Sequence, residues 1–295
     1  MLLNLKNYLS EKCRVIDTAI EEYLPPEDRF PEVICRAMRY SVLNGGKRLR
    51  PILTLAACDA VGGGLKAALP TACAVEFIHA YSLIHDDLPA IDNDDFRRGK
   101  PANHKVFGEA MAILAGDALL TLAFETIASA KDVPSDVALE VTRRVASAAG
   151  IGGMVAGQVA DIISEGKEID AESLEFIHAN KTGALIEVSV IAGGLLGGGT
   201  PEQIRALGLY GQKIGLAFQI ADDILDIEGK QEKIGKPVGS DRKNRKSTYP
   251  IIFGLEKSKE MAHKTVDEAV DALSIFVDRA DPLRALARFI IEREA

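Results

Sequence analysis

Residues 184–196 read ALIEVSVIAGGLL, apolar nearly all round a helical wheel, with Glu187 the one charge and Ser189 the one hydroxyl. A helix without a polar face must bury itself among other helices. Residues 110–124, AMAILAGDALLTLAF, read the same way. Two such segments predict central helices enclosed by others, beyond a simple two-layer packing. Working outward, apolar residues at three- and four-residue spacing predict helices over 2–23, 30–44, 51–61, 67–85, 108–129, 135–165, 171–197, 200–227 and 250–278. No stretch alternates like a strand beside a hairpin turn. Pro134-Ser135-Asp136 and Thr200-Pro201-Glu202 supply helix start signals. With no proline- or serine-rich linker, one all-α domain over residues 1–295 is expected. Asp117, inside the second apolar helix, is expected to be a buried structural acid.

Composition narrows the function. With 47% hydrophobic residues the chain can bury a large core, and with 5% aromatics and no Trp it lacks base-stacking surfaces. A net charge of −8 argues against a nucleic-acid binder. Cys13, Cys35, Cys58 and Cys73 form no C-x-x-C pair, so neither a zinc knuckle nor a disulfide framework is expected. The first residues lack the apolar run of a signal peptide. The apolar stretches around 111–124 and 184–199 are broken by Asp117, Glu187 and glycines, short of the ~18 charge-poor residues of a membrane span. A cytoplasmic address is therefore expected.

Three polar, glycine-bearing breaks, 44–50, 92–104 and 229–247, carry more charge than connectors need, and the apolar helices beside them carry paired acids. His85-Asp86-Asp87-Leu88-Pro89-Ala90-Ile91-Asp92 places adjacent acids at the negative end of an apolar helix, a costly arrangement unless a cation compensates. Phe218-Gln219-Ile220-Ala221-Asp222-Asp223-Ile224-Leu225-Asp226 repeats the theme, and its spacing predicts Gln219, Asp222, Asp223 and Asp226 along one helical face. Oxygen-only ligands suit magnesium. An EF-hand reading fails because Phe96 and Arg98 fall where ligands are needed. Asn44-Gly45-Gly46-Lys47-Arg48-Leu49-Arg50 adds three cations beside a glycine pair, a compact anion site. Lys181-Thr182, Lys236 and the 242–246 run add further cations.

In this ordered set of motifs, over essentially its whole length, the chain resembles the trans-isoprenyl diphosphate synthases, in detail the bacterial farnesyl diphosphate synthases. The carrying residues are Gly46 to Pro51, Asp86 to Asp92 with Arg97-Arg98-Gly99, Lys181-Thr182-Gly183 and Gln219 to Asp226. The resemblance implies antiparallel helices around a deep central cavity, a homodimer, and head-to-tail condensation of isopentenyl diphosphate with an allylic diphosphate. It implies three Mg²⁺, with Asp86, Asp92, Asp222 and Asp226 as ligands and Asp87 and Asp223 in support. Isopentenyl diphosphate falls to Gly46, Lys47, Arg50, His79 and Arg98. The allylic diphosphate falls to Arg97, Lys181, Lys236 and Lys246, and the oxygens of Gln219, Thr182 and Lys181 face the carbocation. Two diphosphates beside six carboxylates are tolerable only when both metals and these cations neutralise them.

The resemblance also implies that Tyr81, five residues before Asp86 and so ~7.5 Å deeper along the helix, closes the product cavity, with Ser82 too small to do so. That points to the fifteen-carbon product, and a geranylgeranyl diphosphate synthase is the alternative. Gln158 and Asp161 divide between cavity lining and structural hydrogen bonding. A class I terpene cyclase is disfavoured by Lys47, Arg50 and Asp222-Asp223, and a non-catalytic partner subunit by two intact acid motifs.

Overall fold

The structure, a computed structural model, describes residues 4–228 and 247–292. In chain order the helices are α1 (Leu5–Tyr23), α2 (Glu32–Val42), α3 (Leu49–Ala60), α4 (Leu65–Asp86), α5 (Asn103–Phe107), α6 (Glu109–Ala128), α7 (Ser135–Ala149), α8 (Met154–Ser164) and α9 (Ala171–Ile177). There follow α10 (Ala184–Leu196), α11 (Pro201–Glu228), α12 (Tyr249–Phe253), α13 (Leu255–Ala272) and α14 (Asp281–Glu292). Lys236, Lys246 and the 242–246 run lie outside the described residues.

The all-α expectation holds, with α10 at the centre. Helices α3, α4, α7 and α11 surround it, and Leu185, Ile186, Val188, Val190 and Ile191 are all buried, each contributing about 1.5–3 kcal/mol. Small residues set the spacing. A Cβ on Gly193 would collide with the Thr54 carbonyl of α3, and one on Gly211 would sit 2.8 Å from the Glu187 Cα. Glycine at these crossings lets the backbones approach.

The second apolar segment behaves differently. On α6, Ala112, Ala115, Gly116 and Leu119 are buried, but Ile113 is 45% and Leu114 50% exposed, and Asp117 is exposed as well. The expectation of a buried Asp117 in an enclosed helix is thus overturned. One face of α6 packs on α4, and the face carrying residues 113, 117 and 121 is left outside.

By length and composition Leu65–Asp86, Glu109–Ala128 and the stretch Ser135–Ser164 are apolar enough to cross a membrane, contrary to the expectation of none. For Leu65–Asp86 the apolarity belongs to the core, where most of the helix is buried.

Three predicted helices are interrupted. The 135–165 helix breaks at 150–153, where a Cβ on Gly153 would clash with the Ala148 carbonyl. The 171–197 helix contains a π-helical turn, His178–Gly183, a feature often found at functional sites. The 250–278 helix is divided at Gly254, whose φ is +85°. A two-residue hairpin, β1 (Phe96–Arg97) paired with β2 (Lys100–Pro101), also escaped the sequence reading. Its turn residues Arg98 and Gly99 have φ of 52° and 75°, the geometry that matches strand twist in tight hairpins. All four cysteines are free.

Candidate active site

The glycine-bearing turn before α3 is held from several sides. Asn44 donates from Nδ2 to the Arg97 carbonyl at 3.2 Å, and Arg98 donates to the Gly45 carbonyl. Gly46 has φ of 132°, and a Cβ there would lie 2.7 Å from Arg98 Nη1, so glycine is what admits the guanidinium. Lys47 is exposed, whereas Arg48 is 3% exposed and turned inward. Arg50 is half-buried, and its Nε has no hydrogen-bond partner. Burial brings the Arg50 guanidinium down to about 10, with Glu76 and Asp222 favouring the charge and Arg98 opposing it. His79, on α4, is held well below the ordinary imidazole value by burial and by Arg50, Arg98, Arg97 and Arg48 around it. A neutral imidazole thus stands within a cluster of permanent cations.

Where α4 ends, the paired acids part company. Asp86 is half-buried, and burial pushes its carboxyl up to about 6, with Lys181 opposing and Asp92 reinforcing the rise. The loop after it folds back so that the Asp92 N–H donates to the Asp86 carbonyl at 2.9 Å. Asp87 is 2% exposed and accepts from Arg97 Nε at 2.9 Å. Arg97 also reaches Asp94 at 3.2 Å, so the structure gives this expected diphosphate ligand two protein partners. Tyr81 is 7% exposed and meets the His85 ring edge-on at 5.7 Å. Burial raises its hydroxyl to about 12, with Asp86 adding to the effect. Ser82 donates to the His79 carbonyl at 2.9 Å.

On α11 the one-face expectation fails for one residue. Successive helical residues are about 100° apart, so Asp222 is exposed while Asp223 turns inward and is 8% exposed. Asp223 accepts from the Tyr249 N–H at 2.9 Å and lies 3.8 Å from His178 Nε2. His178 and Tyr249 stack with centroids 5.5 Å apart, and burial takes His178 down to about 4. Asp226 is half-buried. Gln219 Oε1 accepts from Thr182 Oγ1 at 3.1 Å, tying α11 to the π-helical turn. Lys181 in that turn pairs with Asp161 of α8 at 2.6 Å, and Gln158 has a buried, unpartnered Nε2.

The structure thus brings Lys181 into the field of Asp86, and Arg50 into the field of Asp222. Sequence reasoning missed Glu76, His178 and Tyr249, and it counted Arg48 with Lys47 and Arg50 as one of three cations of an anion site. The one available signal was an acid, Glu76, inside the apolar run of α4. Among the described residues no three acids, histidines or cysteines converge into a metal cage. Magnesium is commonly held by one or two carboxylates together with substrate phosphates. The raised Asp86 carboxyl beside Asp92 is the donor pair a hard cation would relieve.

Comparison with known proteins completes the picture. The Polyprenyl synthetase family profile matches residues 31–278. A farnesyl diphosphate synthase of Geobacillus stearothermophilus is 53% identical over 260 residues, covering 88% of this chain and 87% of the relative. A geranylgeranyl diphosphate synthase of Cyanophora paradoxa is 49% identical over 292 residues, covering 98% and 97%. The crystal structure of an FPP/GFPP synthase from Zymomonas mobilis superposes with a TM-score of 0.88 at 40% identity, covering 99% of this chain and 100% of that one.

Proposed function

The chain belongs to the polyprenyl synthetase family, has the all-α isoprenoid synthase fold and is a chain-elongating prenyltransferase, and we propose that it makes farnesyl diphosphate in a magnesium-dependent reaction. The substrates are isopentenyl diphosphate and dimethylallyl or geranyl diphosphate, joined head to tail with release of diphosphate. The observation that carries the reading is the electrostatic meeting of four sequence-distant motifs in two pairs, Arg50 with Asp222 and Lys181 with Asp86.

In this reading Gly46, Lys47, Arg50, His79 and Arg98 hold isopentenyl diphosphate, the neutral His79 by hydrogen bonding and the others by charge and backbone. Arg97 and Lys181, with Lys236 and Lys246, receive the allylic diphosphate. Asp86 and Asp92 on one wall and Asp222 and Asp226 on the other would hold magnesium, which when bound offsets the negative charge of the leaving group. The allylic carbon–oxygen bond breaks, and the isopentenyl double bond forms the new carbon–carbon bond. The released diphosphate takes the surplus proton. Thr182 and Gln219 supply oxygen dipoles to the carbocation without a carboxylate that could trap it, and apolar walls exclude water.

Tyr81 is the proposed floor behind fifteen carbons. The small Ser82 and the geranylgeranyl synthase relative favour a second reading, a twenty-carbon product. The exposed Ile113 and Leu114 of α6 and the 70% exposed Leu139 of α7 support a homodimer through this face. Incubation with isopentenyl diphosphate and each allylic diphosphate, with and without Mg²⁺, tests the assignment. A fifteen-carbon diphosphate formed only with the metal supports it; cyclised products or no elongation would refute it.

A further inference from the structure

The basic run at Lys47-Arg48-Leu49-Arg50 looks in sequence like three equivalent anion ligands. The structure separates them. Arg48 spends its guanidinium on the protein, donating from Nε to Asp17 at 2.8 Å, from Nη1 to Glu76 at 2.7 Å and from Nη2 to the Val42 carbonyl at 2.9 Å. These partners lie on α1, α4 and the end of α2, so one side chain at the start of α3 ties four helices together. The Arg48–Glu76 pair is dry, with side chains 2% and 3% exposed. Arg48 also adopts φ of 48°, unusual for a residue with a side chain. Its contacts outweigh that local cost and turn the chain sharply between Lys47 and Arg50. The same turn is gripped from outside by Asn44 and Arg98.

We infer that Arg48 and Glu76 are positioning residues for the isopentenyl diphosphate subsite. Their buried ion pair sets the 45–50 turn so that Lys47 and Arg50, on either side of it, present their charges to the anion. Glu76 does this from behind the cations, in the interior, where it does not compete with a diphosphate for them. Its field reaches Arg50 and Arg98 as well as Arg48 and favours the charged form of each, so one buried carboxylate stabilises a cluster of like charges. The inference rests on the reading that Lys47 and Arg50 hold isopentenyl diphosphate.

Removing one partner of a dry ion pair leaves the other charge unpaired and destabilises the fold, whereas replacing both by apolar residues restores stability. The double variant Arg48→Met/Glu76→Leu therefore separates folding from positioning. It should unfold cooperatively near the wild-type denaturant midpoint, yet raise the KM for isopentenyl diphosphate by about tenfold, the scale of a lost charge-assisted contact. The KM for the allylic diphosphate should stay within about twofold. An isopentenyl KM that is unchanged or lowered, or an equal rise for both substrates, overturns the inference. If the double variant does not fold, the isosteric Glu76→Gln, with a lowered denaturant midpoint, carries the same expectation for the two KM values. Loss of the fold in both variants also overturns it, since the pair would then hold the domain and not the turn. Arg50→Ala is the control: a selective rise there without one in the positioning variants refutes this inference alone. An unselective effect of Arg50→Ala refutes the subsite assignment and this inference with it.

Discussion

At the end of α4, Asp87 is 2% exposed and grips a charged partner, Arg97 of the neighbouring hairpin; on α11, Asp223 is 8% exposed and sits against the Tyr249 N–H and the stacked rings of His178 and Tyr249. In both motifs the first acid, Asp86 or Asp222, is the more accessible one. The helix itself divides the labour, because two adjacent side chains on one helix point about 100° apart and cannot both face the same cavity. Two adjacent aspartates are therefore a reaching group and an anchor. The anchors differ in kind. Arg97 lies ten residues from Asp87 and brings a full charge, whereas Tyr249 arrives from α12, 26 residues beyond Asp223, with backbone and ring contacts.

The comparison can be broken in several ways. Truncating the aromatic behind the first motif, Tyr81→Ala, should cost about 3–5 kcal/mol by the scale of buried aromatic truncations. It should also lengthen the product beyond fifteen carbons, read by chromatography of the dephosphorylated alcohols. A folded variant that still stops at fifteen carbons places the floor elsewhere. If the reaching acids are equivalent, Asp86→Ala and Asp222→Ala should each lower kcat by at least ~10²-fold with the fold intact. Near-normal turnover in saturating Mg²⁺ from either would end the two-wall reading.

The anchors are tested by stability. Arg97→Met removes the charged partner that Asp87 holds across the hairpin, and a loss of about 2–4 kcal/mol in urea denaturation is expected, below the full cost of a wholly buried pair because Arg97 is 20% exposed. Tyr249→Phe should change stability by no more than about 1 kcal/mol. The buried Tyr249 hydroxyl has no hydrogen-bond partner, and Asp223 uses the backbone N–H that Phe retains. A large loss there would show that the ring hydroxyl matters after all.

The smallest effect concerns pH. His79 is kept neutral in the fold, so the unfolded chain binds its proton first as pH falls below the ordinary imidazole value of about 6.5, and the contribution of His79 to stability is lost in that direction. His79→Gln, which cannot take that proton, should make the loss of stability between pH 7 and pH 5 shallower than in the wild type. An identical slope would mean that His79 already titrates normally.

The sequence by itself determined the helical class, the family and the three charged motifs, because apolar spacing and short ordered motifs are local properties that no neighbour can change. It also marked residues 184–196 as a central helix, since a segment without a polar face has one way to be soluble. Tertiary structure alone decided the rest. Residues 110–124 are nearly as apolar, yet α6 keeps Asp117 outside, because burial depends on what packs against each face. Arg48 and Lys47 are adjacent and alike in charge, and only the approach of α1, α2 and α4 makes one an internal tie and leaves the other exposed. Asp223 parts from Asp222 for the same reason. Its partners come from a π-helical turn and from α12, distant segments whose meeting is fixed by packing and is written in no local pattern.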